Sequence, residues 1–261
     1  MTDVKQTINE ITTFIKEWFD STGGSNAPAV IGISGGKDST IAAALCVKAL
    51  GKDRVIGVLM PNGEQKDIND AKRVCDLLDI RYTVANIKYA YDSILQSISD
   101  RDYLDTRNPA VTQNIPPRLR MTTLYAVAAS VGGRVCNTSN YSEAYVGYCT
   151  KWGDNVGDFA VLTPFTVTEV LEIGDALGLP YDLVHKVPAD GLSGKTDEDN
   201  LGFTYAELDE YLRGGVASKE TVAKVKRCHN ASTHKSGKIY NPENWKDSVS
   251  KTYPNSTNMR M

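Results

Sequence analysis

The sequence lacks most features that mark secreted, membrane or zinc-thiolate proteins. Its 261 residues contain no apolar run long enough to span a bilayer, and residues 1–10 are polar, which argues against a secretory signal. A net charge of only −3 argues against a general nucleic-acid binder. The five cysteines are odd in number, widely spaced and without a C-x-x-C pair, so they predict free thiols. We therefore expect a cytoplasmic protein that binds neither nucleic acid nor a membrane.

Histidine is also scarce, and composition is otherwise ordinary. His185, His229 and His234 show no metal-ligand spacing. Apolar residues make up 41% of the chain and charged residues 23%, which is typical of a globular protein with a core. Because no internal repeat, low-complexity tract or domain boundary is visible, residues 1–261 are predicted to form one domain with a polar C-terminal tail.

Apolar periodicity predicts the order of elements. Short β-branched runs predict strands at 29–33, 55–60, 82–87 and 134–137. Helical spacing predicts helices at 4–19, 40–50, 68–78, 89–98, 118–131, 167–177, 205–212 and 219–226. Residues 99–113, 147–159 and 188–202 are expected to be irregular, as is the tail from 229. The alternation predicts an α/β fold with a doubly wound, mostly parallel sheet flanked by helices, whose ligands gather at the carboxyl ends of the strands.

One stretch, IGISGGKDS at 31–39, combines a strand end, two glycines and a helix start. Backbone N–H groups at a helix N-terminus bind phosphate, and glycines let oxygen atoms approach the chain. The spacing differs from the common P-loop, where Ser or Thr directly follows Lys, and from the dinucleotide motif G-x-G-x-x-G. Asp38 stands between Lys37 and Ser39, as expected if it holds Mg²⁺ against phosphates. An ordinary strand–helix turn with a capping Ser is the alternative.

SGGKDS resembles the pyrophosphate-binding loop of the N-type ATP pyrophosphatases, and later segments resemble one branch of that superfamily. These segments are NIPPRLRMTTLY at 114–125, TSNYSE at 138–143, GYCTKWGDNVGD at 147–158, TDEDNLGFTYAEL at 196–208 and the pair His234-Lys235. In this order they resemble segments of the ammonia-dependent NAD synthetases. The resemblance implies the fold of the adenine-nucleotide α-hydrolase-like proteins.

The resemblance also implies the reaction. ATP, with Mg²⁺, would adenylate the nicotinate carboxylate of deamido-NAD and release pyrophosphate, and ammonia would then displace AMP to give NAD. The synthetase core accounts for about the whole length, so ammonia would be taken directly or delivered by a separate chain. A homodimer is implied, with an apolar helix at 118–131 available for packing. The alternatives are another adenylating amidase of the superfamily, or a nucleotide-binding regulatory module without turnover.

Site residues follow from the matching positions. The resemblance places ATP on Gly32, Ile33, Ser34, Gly35, Gly36, Lys37, Asp38, Ser39 and Thr138. It places Mg²⁺ on Asp38 and Glu143. It places deamido-NAD on Arg118, Lys151, Asp158, His234 and Lys235, with Arg120 close by. Asp38, Lys151 and Asp154 are the predicted catalytic residues, and the choice between Asp154 and Asp158 as proton acceptor stays open. Structural alternatives are a helix cap for Asp38, turn formation for the Asp residues, and solvated side chains for Glu143 and the arginines.

Three departures from the family pattern bear on these expectations. Pro116-Pro117 precedes Arg118 and fits a helix start. Glu169 falls where relatives place a lysine on ATP phosphate, which Lys186 or Lys195 would have to replace. Ala189 stands where relatives carry a hydroxyl that contacts ATP.

Overall fold

The computed structural model describes residues 3–65, 68–99, 103–186 and 196–235. Within these ranges the strands are β1 (Ala29–Gly32), β2 (Val55–Leu59), β3 (Arg81–Val84), β4 (Arg134–Asn137) and β5 (Phe159–Ala160). The helices are α1 (Val4–Ser21), α2 (Lys37–Leu50), α3 (Ile68–Leu77), α4 (Lys88–Ser99), α5 (Pro109–Val131), α6 (Tyr141–Val146), α7 (Val167–Ala176), α8 (Tyr181–Val184), α9 (Asp197–Leu201), α10 (Tyr205–Leu212) and α11 (Lys219–Ser232). No helix in the described ranges is both long and apolar enough to cross a bilayer.

The five strands form one sheet in the order β3-β2-β1-β4-β5. Every neighbouring pair is parallel, with Ala29 opposite Val55 on one side of β1 and opposite Arg134 on the other. The strand order reverses at β1, since β2 lies on one side of it and β4 on the other. Doubly wound sheets bind ligands at such a reversal, beyond the carboxyl ends of the strands. The predicted fold class is confirmed.

Alternating residues of β1 pack into two separate apolar cores, one on each face of the sheet. Ile31 packs with α1, α2, α3, α7 and α8 on one face, whereas Val30 packs with Val58 and part of α5 on the other. The second face is thinly covered by the part of the chain that the structure describes. All four residues of β3 are exposed, and α4 contributes no buried residue.

A third apolar cluster joins helices that follow the sheet. Val146, Val167, Leu208 and Val225 bring together α6, α7, α10 and α11. Inside this unit the buried carboxylate of Asp209 accepts hydrogen bonds from the Ser142 hydroxyl on α6 and from the Thr168 amide and hydroxyl on α7. Because three helices share one carboxylate, α6 is fixed to the rest of the cluster.

The interpretation of residues 99–113 as a loop is wrong in its second half, and the helix after it does not start at 118. Helix α5 begins at Pro109, where Asn108 caps it by accepting a hydrogen bond from the Ala110 amide at 2.9 Å. Pro116 and Pro117 therefore lie inside the helix, although proline removes a helical hydrogen bond. The cap at Asn108 and the packing of Pro117 against Gly153, in the loop at 147–158, offset that cost.

Residues 196–202 and 229–232 also differ from expectation. The first contains helix α9, which begins with a reciprocal cap between Thr196 and Asp199. The second belongs to α11, which extends six residues beyond the predicted 226. Helix α6 and strand β5 were not predicted, because six- and two-residue elements are too short to show periodicity. Ala189 and Lys195 lie outside the described residues.

Candidate active site

The glycine-rich loop is held by its own serines. Ser34 Oγ accepts a hydrogen bond from the Gly36 amide at 3.2 Å and lies 3.1 Å from Ser39 Oγ. Ser39 Oγ in turn donates to the Gly36 carbonyl at 3.1 Å. The N-cap of α2 is Gly36, which has no side chain to satisfy the first amides of the helix. These amides are therefore available to an anion.

Position 35 requires glycine because of its backbone conformation and its close approach to α3, in addition to the access that glycine gives to a ligand. Its φ is +80°, and a Cβ built there would lie 2.8 Å from the Ala71 amide nitrogen of α3. Any other residue would be strained and would clash with backbone. The loop is thus locked between β1 and α3. The Ile33 amide, by contrast, donates to Val58 in the sheet, so Ile33 serves the strand rather than offering its N–H to a ligand.

A buried ion cluster lies beside this loop. Lys37, 6% exposed, places Nζ 2.8 Å from Asp38 Oδ2 and 3.8 Å from Glu143 Oε1. Asn140, fully buried, donates to Asp38 Oδ1 at 3.0 Å and caps α6 by accepting from the Glu143 amide at 3.0 Å. The predicted metal residues Asp38 and Glu143 are therefore brought together across 105 positions of sequence by the ends of β1 and β4.

Charge in the cluster is unbalanced. Burial, and then the Asp38 charge, raise the pKa of Glu143 to about 8, against the opposing effects of Lys37 and Asn140. Burial works against the Lys37 ammonium, but Asp38 and Glu143 outweigh it and raise the pKa of that group. The single ammonium group of Lys37 thus lies beside two carboxyl groups, those of Asp38 and Glu143.

Oxygen donors of this kind fit Mg²⁺, which proteins bind with one or two carboxylates while phosphates and water complete its shell. The raised pKa of Glu143 fits as well, since a divalent cation would relieve the crowding of negative charge. No group of three or more His, Cys, Asp or Glu side chains in the described ranges is placed to hold a metal by itself. The cluster fits a metal that arrives with phosphate.

Tyr205, Tyr148 and Asp197 extend the cluster, and none was assigned a role from the sequence. The Tyr205 ring lies 5.9 Å from Lys37 Nζ, and its phenol is buried. Tyr148 donates to Asp197 Oδ1 at 3.0 Å. Asn140 was missed too. These residues lie within segments of the family pattern, but only the fold shows that they meet.

The loop at 147–158 is fixed by the end of β4. Asn137 Nδ2 donates to the carbonyls of Asp154 and Val156 at 2.9 and 3.1 Å. The Thr150 amide donates to Asp154 Oδ1 at 2.6 Å. Burial raises the pKa of Asp154, although this amide bond and the charges of Lys235 and Arg120 oppose the shift.

Helix α5 supports the same loop. A Cβ on Gly153 would lie 2.9 Å from Pro117 Cβ, which shows how tightly the proline packs there. Arg118 Nε donates to the Lys151 carbonyl at 3.1 Å. Arg120 Nε donates to the Met60 carbonyl at 3.1 Å, and burial lowers the pKa of its guanidinium. Arg118 thus contacts the loop that carries Lys151 and Asp154.

The remaining predicted residues differ in placement. Asp158 Oδ2 accepts from the Val135 amide at 2.7 Å, a bond that joins the loop to β4. Lys235 Nζ donates to the carbonyls of Gly147 and Cys149 at 2.8 and 2.9 Å, at a cleft of about 380 Å³. His234 is exposed and Nδ1 bonds the Ala231 carbonyl in its own turn. Thr138, half-buried, directly follows β4.

Glu169 has a structural role in this chain. It completes the cap of α7 with the Thr166 amide at 2.9 Å and pairs with Arg213, which donates to Glu169 Oε1 at 2.9 Å. Lys186, one of the suggested substitutes on phosphate, donates to Asp70 at 2.6 Å.

A parallel sheet that reverses at β1, an anion loop there and paired carboxylates beside it define a protein of the nucleotide-triphosphate-binding α/β class. The sequence pattern of the family described as NAD synthase matches residues 7–249. The chain therefore belongs to the NAD synthase family, ATP-using ligases that form a carbon–nitrogen bond, and the expected family is confirmed.

Individual relatives agree. The NH(3)-dependent NAD(+) synthetase of Pyrococcus furiosus is 44% identical over 223 residues, which cover 84% of this chain and 82% of the relative. The structure of NMN synthetase from Francisella tularensis has a TM-score of 0.83 and 33% identity, covering 92% of this chain and 99% of that one. An NH3-dependent NAD synthetase from Campylobacter jejuni has a TM-score of 0.72 and 27% identity, with the same coverage.

Proposed function

We propose that the protein converts deamido-NAD to NAD with ATP and ammonia, through an adenylated intermediate. The observation that carries this proposal is the cluster of Lys37, Asp38 and Glu143 beside the open N-terminus of α2. A triphosphate seated there would meet backbone donors and an ammonium, which together stabilise the charge that develops on pyrophosphate. The five cysteines are free, which favours a reducing compartment such as the cytoplasm.

In the first step a nicotinate carboxylate oxygen attacks the α-phosphorus, and the bond from that phosphorus to the β-phosphate oxygen breaks. Lys37 and the α2 amides hold the departing pyrophosphate. Asp38 and Glu143 would hold Mg²⁺, which supplies a positive charge on the phosphate oxygens. A cleft of about 420 Å³ lined by Pro61, Gly63 and Ile68 at the end of β2 gives room for the adenosine.

In the second step ammonia attacks the carboxyl carbon of the adenylate, the bond from that carbon to the AMP oxygen breaks, and the nitrogen releases its extra proton to the departing AMP or to water. Ammonium must first lose a proton, and Asp154 is the acceptor we propose. Its carboxyl is buried near Arg120 and Lys235, and burial raises its pKa toward the range useful for a base. Arg118 on α5 donates to the backbone of Lys151 in the loop at 147–158. Both side chains would bind phosphate or carboxylate groups of deamido-NAD.

We further propose a homodimer in which β3, α4 and α5 face the partner. Within one chain this face leaves Tyr82, Val84, Ile94 and Val131 exposed. Apolar surface of this kind is typical of protein interfaces. Sedimentation should give twice the chain mass of 28.5 kDa, and Ile94→Lys should reduce that mass to one chain. A wild-type monomer at micromolar concentration contradicts the proposal.

The direct test measures pyrophosphate and NAD with Mg-ATP and deamido-NAD, supplying ammonium or glutamine in turn. NAD formed with ammonium but not with glutamine supports both the reaction and the nitrogen donor. Pyrophosphate without NAD would show that the adenylation half is correct and the amination half is wrong. Asp38→Asn should abolish pyrophosphate release, and Asp20→Asn, the same change at an exposed position near the end of α1, is the matched control.

A second candidate substrate is nicotinate mononucleotide. It is favoured by the TM-score of 0.83 to a solved NMN synthetase. The same assay with the mononucleotide in place of deamido-NAD separates the two, since the ratio of the kcat/KM values ranks them.

A further inference from the structure

Tyr205 carries a buried hydroxyl that the structure leaves without a partner. The residue is 4% exposed, at the first position of α10, and its phenolic oxygen makes no hydrogen bond to any of the described residues. Buried hydroxyls nearly always bond to protein, water or ligand, because an unmade hydrogen bond is costly. This oxygen therefore points to a bonding partner other than the described side chains.

The surroundings define that partner as a hydrogen-bond acceptor. Lys37 Nζ lies 5.9 Å from the ring centroid, and the carboxyl groups of Glu143, Asp197 and Asp38 act electrostatically on the phenol. Burial, and then these carboxylates, raise the pKa of Tyr205 above its usual value, so the phenol keeps its proton. A neutral phenol beside a cation site donates its O–H to an oxygen.

We propose that Tyr205 is a positioning residue, whose hydroxyl donates a hydrogen bond to an oxygen ligand of the metal ion held by Asp38 and Glu143. That ligand is a coordinated water or a phosphate oxygen of ATP, and both accept the same bond. The inference rests on the proposed magnesium site and adds to it. Hydrogen bonds to ligands of a metal orient them, and removing such a partner commonly weakens metal affinity 10- to 100-fold.

The fold explains why Tyr205 can serve this role. Its ring is anchored in the apolar cluster of α6, α7, α10 and α11, while its hydroxyl lies close enough to Glu143, Asp197 and Asp38 for these carboxyl groups to act on it electrostatically. The Tyr205 amide also donates a hydrogen bond to Glu198 Oε1 at 2.8 Å, which fixes the start of the helix. The phenol is thus held rigidly.

The test is Tyr205→Phe, which keeps the ring and removes only the hydroxyl. Mn²⁺ binding is measured by electron paramagnetic resonance, first with the metal alone and then with an ATP analogue that has a methylene group between the α- and β-phosphorus. We expect the Mn²⁺ Kd to rise about 10-fold or more. Tyr211→Phe removes a hydroxyl from the same helix outside the acidic cluster and should leave the Kd unchanged.

Each result is decisive. A rise in Kd with Mn²⁺ alone identifies the ligand as water, and a rise only with the analogue identifies it as a phosphate oxygen. An unchanged Kd in both arms overturns the inference. So does a lower melting temperature of metal-free Tyr205→Phe, because it would show that the hydroxyl already has a partner inside the protein.

Failure of the metal site itself would look different. Glu143→Gln, measured in the same way, must weaken Mn²⁺ binding if the proposed site is correct. If Glu143→Gln has no effect, the site is wrong. If it weakens binding and Tyr205→Phe does not, only the role of Tyr205 is wrong.

Discussion

Glu143 offers the sharpest test of the site, because replacing it should stabilise the metal-free protein. Its pKa rises to about 8 in the folded protein from an ordinary value of 4.5. Between these two pH values the folded state holds a proton that the unfolded state has lost, so stability falls as pH rises through this window. Glutamine resembles the protonated side chain and removes this dependence.

The size of the effect follows from the shift. At about 1.4 kcal/mol per pKa unit, a shift from 4.5 to about 8 sets a ceiling of roughly 5 kcal/mol. The Glu143 side chain is 20% exposed and lies 3.8 Å from Lys37 Nζ, and solvent screening reduces the free-energy difference, so we expect Glu143→Gln to be about 2 kcal/mol more stable than wild type at pH 8. For a chain of this size that is roughly 4–8 °C in melting temperature.

The assay is thermal and urea unfolding of wild type and Glu143→Gln from pH 4 to 9 in EDTA. The two proteins should have the same free energy of unfolding near pH 4.5. Above that pH the variant should become increasingly more stable than wild type until about pH 8. Added Mg²⁺ with an uncleavable ATP analogue should reverse the order, since only wild type keeps both carboxylates. A variant that is less stable than wild type at pH 8 in EDTA would refute the view that Glu143 is held at an energetic cost for a cation.

Three further outcomes are expected. Gly35→Ala should lower the unfolding free energy by about 1–3 kcal/mol, because of its φ of +80° and the clash with Ala71, and urea titration measures it. Asp154→Asn should slow NAD formation with ammonium about 100-fold while pyrophosphate release persists, as paired product assays would show; equal losses in both steps would contradict its role as proton acceptor. Arg213→Ala should cost about 0.5–1 kcal/mol at pH 7. Arg213 and the cap of α7 outweigh burial and lower the pKa of Glu169, so this difference should vanish in urea titrations as pH falls well below 4.5.

The sequence predicted elements whose signal is local. Strand β1 and helix α2 are read directly from β-branched residues, glycines and helical spacing. It failed at 109–117, because prolines normally end helices and the packing of Pro117 on Gly153 is a contact between distant segments. The resemblance to the family identified Asp38 and Glu143 as candidate metal ligands. Nothing in the sequence around Tyr205 indicated a role for that residue. A buried hydroxyl becomes informative only when its neighbours are known.

The location of the site explains why these distant residues matter. Asp38 stands on the helix that packs against the sheet, and Glu143 stands on α6, which belongs to the third apolar cluster. Asn140 joins the two at the end of β4, and Asp209 fixes α6 to α7 through Ser142. A metal held by both carboxylates would therefore connect the sheet to the helical cluster. Tyr205 belongs to that same cluster and would bond a ligand of the metal. Replacing Asp209 should therefore change both the packing of α6 and the metal affinity.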